Sequence, residues 1–523
     1  MRASNTSKHA PAAIPNRAAE VSELIDAVKA LIVPFIADAD NAFPEREQGG
    51  PVGTSSADLP VRTALVEPLK PQSVVSRLGL DLPEGNGGGR AALLETVKRV
   101  LDLSVNTWDQ GFLDKLYAST TPVGVVAELV LSVLNTNVHV FQVSPALTVI
   151  EKTTARALAR RFGFMGPRAG GITCAGGSAS NFTSLIVARN TLFPETKEDG
   201  NGAGRRFALF TSQHGHYSVE KAAQAAGLGS RAVWTVAVDA GGCIVASELE
   251  ARIVAAKTAG FTPLYINATA GTTVMGSYDP FEAIAAIAKT HGLWLHIDGS
   301  WGGPAIFSAQ QRHKLLGSHL ADSLTVNPHK MMNVPTTCSF LLGPDLSLFH
   351  RANTLPAGYL FHEGEDNKNE AETETKTDEV WDLADLTLQC GRHADSFKLA
   401  LAWVYEGAAG FERQVDHSFA MAALLAQQIA QRPHLFVLVS ANPPPCLQVC
   451  FYYGQDGRPD ADSRVNSRRT STAARLLVRR GYMVDFAPGP CGSFFRVVLN
   501  WQTRPGTIQG LITALEAVRQ EIS

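Results

Sequence analysis

The chain has 523 residues, 45% of them hydrophobic and 18% charged, which is enough for more than one core, since single cores rarely grow beyond roughly 250–300 residues. Lys and Arg total 46 against 49 Asp and Glu, and this near-balance argues against nucleic acid or an anionic membrane surface as partner. No apolar run approaches the ~18–20 residues of a membrane span, and residues 1–15 lack the apolar stretch of a signal peptide, so a cytoplasmic protein is expected.

Residues 1–19 are polar and rich in Ala and Pro, and are expected to be disordered. Val21, Leu24, Ile25, Val28, Leu31 and Ile32 then follow helical spacing, which Pro34 is expected to end. An apolar stripe so early in a chain usually docks on another element, a partner subunit included. From about residue 165 strands and helices alternate. Residues 207–212 read as a strand, 218–226 as a helix, 249–258 as a helix closed by Gly260, and 264–269 as a strand. Asp279 is expected to cap a helix with Pro280 in its first turn; it runs to His291, stops at Gly292 and gives way to a strand over 293–298. Such units predict an α/β fold, a mostly parallel sheet flanked by helices, with ligands beyond the carboxyl ends of the strands.

Residues 363–379 are acidic and of low complexity, a solvated surface loop or, being close to Tyr359, a mobile lid. After about residue 395 a smaller α+β domain is expected, with strands over 447–453 and 494–499 and a last helix over 506–521. The seven cysteines are scattered, and the nearest pair, Cys446 and Cys450, lies in a strand-like apolar segment. They read as reduced thiols rather than a metal site, and no metal is expected.

The chemistry concentrates at predicted strand ends. Asn327-Pro328-His329-Lys330 follows the strand over 323–326. A lysine there, beside His329, Met331 and Met332, is desolvated, which lowers its pKa and frees the amine as a nucleophile toward an aldehyde. Standing alone it would more often be a surface lysine. His296-Ile297-Asp298-Gly299-Ser300 sets a carboxylate at another strand end. Gly176-Gly177-Ser178-Ala179-Ser180-Asn181 precedes an apolar helical run, so glycines, hydroxyls and a helix N-terminus can cradle a phosphate. His216 follows one more strand, and Thr272 and Thr273 another. Together these are the parts that pyridoxal phosphate chemistry needs: an amine, an anion that keeps the ring nitrogen protonated, and a phosphate site.

Over residues 102–517 the chain resembles the group II pyridoxal-phosphate decarboxylases, and among them the glutamate and cysteine-sulfinate decarboxylases. The resemblance implies the aspartate-aminotransferase-like fold (fold type I) and a homodimer with active sites at the subunit interface. It also implies an acidic amino acid (glutamate, aspartate or cysteine sulfinate) converted to its amine and carbon dioxide. It divides the chain into a helical dimerisation segment, 1–130, a large cofactor-binding domain, 131–395, and a small domain, 396–523. Lys330 is similar to the Schiff-base lysine, flanked by Asn327 and His329 in the cofactor pocket; Asp298 matches the pyridinium partner and His216 the ring-stacking histidine. Ser178, Ala179 and Ser180 match the phosphate loop, with Thr273 and Ser300 also on the cofactor side. Tyr359 matches the tyrosine of a mobile loop that returns a proton to Cα; relatives with phenylalanine there tend toward aldehyde formation.

Arg496 looks like the arginine that grips a substrate carboxylate, and Asn137 fits the glutamate-type pattern. Two departures bear on the substrate. Phe112-Leu113-Asp114-Lys115-Leu116 replaces a segment that carries FNQL in the relatives, and His139 stands where glutamate decarboxylases have phenylalanine. Lys115 either holds a second acidic group, such as that of a shorter acid like aspartate, or pairs with Asp114. Two alternatives stay open: the same chemistry on an aromatic or specialised amino acid, and a catalytically inactive dimeric homologue. Retention of Lys330, Asp298, His216 and Tyr359 argues against the second.

Overall fold

The computed structural model describes residues 16–49, 63–201, 204–356 and 379–522; Tyr359 and residues 363–378 of the acidic stretch lie outside the described residues. Twelve strands are described: β1 (Phe112–Leu113), β2 (Gly170–Cys174), β3 (Phe207–Ser212), β4 (Val233–Val236), β5 (Thr262–Thr269), β6 (Trp294–Gly299), β7 (Ser323–Val326), β8 (Ser339–Gly343), β9 (Phe436–Leu438), β10 (Gln448–Tyr453), β11 (Met483–Ala487) and β12 (Phe494–Val498).

Seven of them form one sheet in the order β2-β8-β7-β6-β5-β3-β4. The run from β4 to β7 is parallel, while β8 and β2 join antiparallel at one edge. Every residue of β3, β6 and β7 is buried, as a sheet covered on both faces requires. Helices Ser218–Ala225, Ala246–Thr258 and Phe281–His291 make the crossovers, and helix Gly177–Leu192 packs across β5 to β8. The predicted alternation of elements holds, with ends displaced by at most three residues.

The second sheet, β1-β11-β12-β10-β9, is antiparallel except for β1, which runs parallel to β11 with Phe112 beside Met483 and Leu113 beside Val484. A two-residue strand from far upstream therefore completes the C-terminal sheet. Its core of Leu113, Leu425, Phe451, Leu477, Phe495 and Leu511 is separate from the core under the large sheet. Ion pairs tie the layers together. Arg392 and Glu151, both fully buried, pair beside β2, where Arg392 also donates to the Thr173 carbonyl at 3.1 Å.

Three expectations are corrected. The first helix is Arg17–Asn41, so residues 17–19 are helical and Pro34 lies inside it. A proline removes one backbone donor, and the remaining ladder of a 25-residue helix carries through. Asp279 does not cap the helix that begins at Phe281, where Pro280 takes the cap position. Its carboxylate instead accepts from Ile244 N and Thr269 N, both at 2.7 Å, two buried backbone donors, the second at the end of β5. Burial pushes that carboxyl up to about 6.

Candidate active site

Because β3, β5, β6 and β7 run in parallel, their carboxyl ends open on one rim, and the chain after each turns into the same cavity of about 260 Å³. His216 and Tyr217 enter from β3, Thr269, Gly271 and Thr273 from β5, and Asp298, Ser300 and Trp301 from β6. Asn327, His329 and Lys330 enter from β7, and Gly177, Ser178 and Asn181 close the cavity from the helix after β2. A larger cavity of about 600 Å³ lies between the N-terminal helices, but its charged lining, Asp38, Glu45, Glu67 and Asp102, is all carboxylate and offers no amine. Chemistry, not size, singles out the smaller one.

Lys330 sits in a turn at the end of β7, where its N–H donates to Asn327 O at 3.0 Å. Burial holds its amine below the usual lysine range, and only the charge of Asp298 acts the other way. Asp298 is buried, which by itself would raise its carboxyl. Its neighbours Ser300 and Asn181, with the charge of Lys330, outweigh burial and keep it below the usual carboxylate value, and the carboxylate accepts from Ser300 N (3.0 Å) and Asn181 Nδ2 (2.8 Å). The site thus offers a fixed anion and a readily deprotonated amine side by side. Burial lowers His216 as well, and its Nδ1 accepts from Ser218 N at 3.2 Å, which opens the following helix.

Helix Gly177–Leu192 starts without a side-chain cap, its cap residue Gly176 at φ 93°. A Cβ on Gly177 would meet Asn327 Nδ2 and Ser300 Oγ, each at 2.7 Å, so the helix end lies flush on those two groups. Ser300 Oγ is buried and has no hydrogen-bond partner among the described residues. An uncapped helix N-terminus, Ser178 and an orphaned hydroxyl make a site suited to a phosphate. With the amine of Lys330 and the carboxylate of Asp298, the residues present fit pyridoxal phosphate.

Ala179 and Ser180 are not in the cavity lining. Ala179 packs on the core, and Ser180 Oγ lies 2.7 Å from Ser339 Oγ, which donates to Asn327 Oδ1 at 2.6 Å. Asn137 and His139 also stand outside it: Asn137 Oδ1 accepts from Arg392 N at 2.8 Å, and His139 Nδ1 lies 3.1 Å from Asn137 O. Arg496 is 6% exposed and donates through Nη1 to the carbonyl of Thr273 at 2.9 Å, which sets it at the cavity's edge. Its Nη2 meets Asp485 Oδ2 at 2.6 Å. Lys115 Nζ lies 2.9 Å from that same oxygen and 3.2 Å from Asp114 Oδ2. Sequence reasoning did not single out Asn181, His296, Trp301 or Asp485 as site residues. Asn181 stands within the glycine-serine loop, whereas Asp485 carries no local signal at all.

The profile of the family described as "Pyridoxal-dependent decarboxylase conserved domain" matches residues 71–454. An L-aspartate decarboxylase of Metarhizium robertsii is 54% identical over 507 residues, 97% of this chain and 98% of the relative. A glutamate decarboxylase-like protein of Gibberella zeae is 38% identical over 456 residues, 82% of this chain and 87% of the relative. The crystal structure of mouse CSAD in apo form is similar with a TM-score of 0.82 at 30% identity, covering 96% of this chain and 99% of that one. The chain belongs to the pyridoxal-dependent decarboxylase family. It is a group II enzyme of fold type I that removes carbon dioxide from an amino acid with pyridoxal phosphate as cofactor.

Proposed function

We propose that the substrate is an acidic amino acid, with L-aspartate favoured over glutamate and cysteine sulfinate, and that Arg496 receives its side-chain acid. The observation that carries this reading is the placement of Arg496: a buried guanidinium bonded to the carbonyl of cavity residue Thr273, its Nε–H buried without a partner among the described residues. The charge of Arg496 is already met by Asp485, so what supports the reading is the one buried donor left unused, which an oxygen of the incoming acid would complete. The 54% identity to an L-aspartate decarboxylase supports the choice of aspartate.

Pyridoxal phosphate, when bound, supplies an electron-withdrawing ring that stabilises the electron pair left as carbon dioxide departs. The chain's own residues serve that chemistry in distinct ways. Lys330 holds the cofactor through its amine. Asp298, kept ionised, would hold a proton on the ring nitrogen, and His216, which lines the same cavity, would flank the ring. Ser178 and the Gly177 helix end provide the phosphate end, joined by Ser300. Thr273, Asn327 and His329 shape the remaining wall. Tyr359 returns the proton to Cα, which would favour amine over aldehyde.

The functional unit in this reading is a cytoplasmic homodimer with active sites at the subunit interface, and residues 1–130 act chiefly in dimerisation. Helices Pro71–Leu78 and Gly89–Leu103 bury no residue within the chain, and helix Pro122–Leu134 exposes Val125, Val126, Leu129, Val130, Val133 and Leu134. An apolar face of that kind supports burial against a second copy. Asn137 and His139 follow this helix and would reach a substrate across such an interface. Seven free thiols fit a reducing compartment. Carbon dioxide release by the purified holoenzyme, measured across a panel of amino acids, tests the substrate assignment. Turnover of aspartate, glutamate or cysteine sulfinate well above that of tyrosine or phenylalanine is expected; the reverse order would overturn it.

A further inference from the structure

We propose that Asp485 is a specificity-determining positioning residue, which holds Lys115 beside Arg496 so that the two cations act as one receptor for the substrate's side-chain acid. The inference rests on the acidic-substrate reading above and concerns how that acid is recognised.

The register of the small sheet creates the juxtaposition. Asp485 on β11 stands directly opposite Arg496 on β12, while β1 runs parallel to β11 and delivers Asp114 and Lys115 just past its end. Two neighbouring strands and a segment 370 positions upstream therefore meet at one carboxylate oxygen. Asp485 Oδ2 accepts from Arg496 Nη2 at 2.6 Å and from Lys115 Nζ at 2.9 Å. Two cations bridged by one oxygen repel each other and stay together only while the anion lies between them.

The two cations are not held equally. Arg496 is buried and pinned by the carbonyls of Thr273 (2.9 Å) and Asp114 (3.3 Å). Lys115 is 47% exposed, and its remaining partner is its own neighbour Asp114 at 3.2 Å. Removing the charge of Asp485 therefore releases Lys115 far more than Arg496. Both cations border the reaction site. Arg496 bonds to the carbonyl of cavity residue Thr273, and Lys115 lines a narrow cleft together with Lys330 and Trp301. An ion pair serving only to fasten β1 to β11 would not need its lysine there. Burial alone would raise the Asp485 carboxyl, but the hydrogen bond from Lys115 and the charge of Arg496 hold it below the usual value, so the bridge stays ionised. The cluster already balances two cations with two carboxylates. It can therefore select an acid by donors fixed in position rather than by excess positive charge.

The test is steady-state kinetics of the full-length holoenzyme and its D485N, K115M and D485N/K115M variants on L-aspartate, L-glutamate and an uncharged amino acid. Thermal shifts with succinate and with butyrate provide a binding readout independent of turnover. We expect D485N and K115M each to raise KM for the preferred acid about tenfold or more, with the loss in KM rather than kcat. The double variant should be no worse than either single one, within about twofold, because Asp485 acts through Lys115. The preference for succinate over butyrate should fall in D485N and return in D485E. An unchanged KM in D485N, a tighter acid KM, or losses that multiply in the double variant would overturn the proposal while leaving the acidic-substrate reading intact. Should D485N fail to fold, K115M decides: a solvent-reaching lysine whose removal leaves acid KM unchanged is no part of the receptor. A wild type that rejects every acid would instead overturn the substrate reading, and this inference with it.

Discussion

Asn181 donates a hydrogen bond of 2.8 Å to Asp298 Oδ2, and its amide is turned that way by His296, whose Nε2 lies 3.1 Å from Asn181 Oδ1. Burial pushes the His296 imidazole down to about 4, so it is neutral near pH 7. Its Nδ1 lies 2.9 Å from Ser323 Oγ and 3.0 Å from Ser184 Oγ. With a hydroxyl donating to Nδ1, Nε2 carries the proton and donates to Asn181, which leaves the Asn181 amide N–H to face the carboxylate. The chain of bonds has one direction and ends on the anion of the cavity.

Asn181→Ala removes the last donor of that chain. Hydrogen bonds to charged groups contribute roughly 1.5–3 kcal/mol, so cofactor affinity should fall by about one to two orders of magnitude. Titration of the apoenzyme with pyridoxal phosphate, followed by visible absorbance, measures this. Wild-type affinity in the variant would mean that Asp298 needs no support from Asn181.

Lys330→Ala takes away the single amine among the described residues lining the cavity. Steady-state decarboxylation should be lost, together with the visible absorbance that distinguishes lysine-linked from free cofactor. Full turnover by this variant would remove Lys330 from its proposed role.

Arg496→Met keeps the apolar bulk of the side chain and deletes the fork. kcat/KM for the preferred acidic substrate should drop at least about tenfold, a loss of ~1.4 kcal/mol, while an uncharged amino acid is affected less. Equal losses on both substrates would point to damaged packing of the small sheet rather than to recognition.

Acid should weaken the fold through His296. Its native pKa of about 4 lies below the ordinary histidine value of ~6.5, so between those limits the unfolded chain binds a proton that the native protein refuses. Stability is therefore fully present above pH ~6.5 and is lost as pH falls toward 4, by up to the order of 3 kcal/mol from this group. His329, also pushed down by burial to about 4, acts in the same direction. Urea unfolding at several pH values in this window should give a shallower pH dependence for His296→Gln than for the wild type. Matching slopes would show that His296 is protonated equally in both states.

The amino-acid sequence alone determined the alternation of strands and helices over residues 207–299, because strands buried on both faces are continuous apolar runs and the intervening helices end at glycines such as Gly292. It also determined that Lys330, Asp298, His216 and the Gly177–Ser178 turn share a site. In a parallel sheet every carboxyl end opens on the same rim, so residues that follow different strands must meet. It could not determine how charges pair. Lys115 and Asp485 are 370 positions apart, and their contact exists only because β1 adds to β11 in one register. Asp279 misled for a related reason: a carboxylate beside a helix start looks like a cap until the fold brings Ile244 N and Thr269 N closer to it. Periodicity is written in neighbours along the chain and can be read there. The partner of a buried charge depends on which donor the fold brings within about 3 Å, and that distance belongs to the tertiary structure alone.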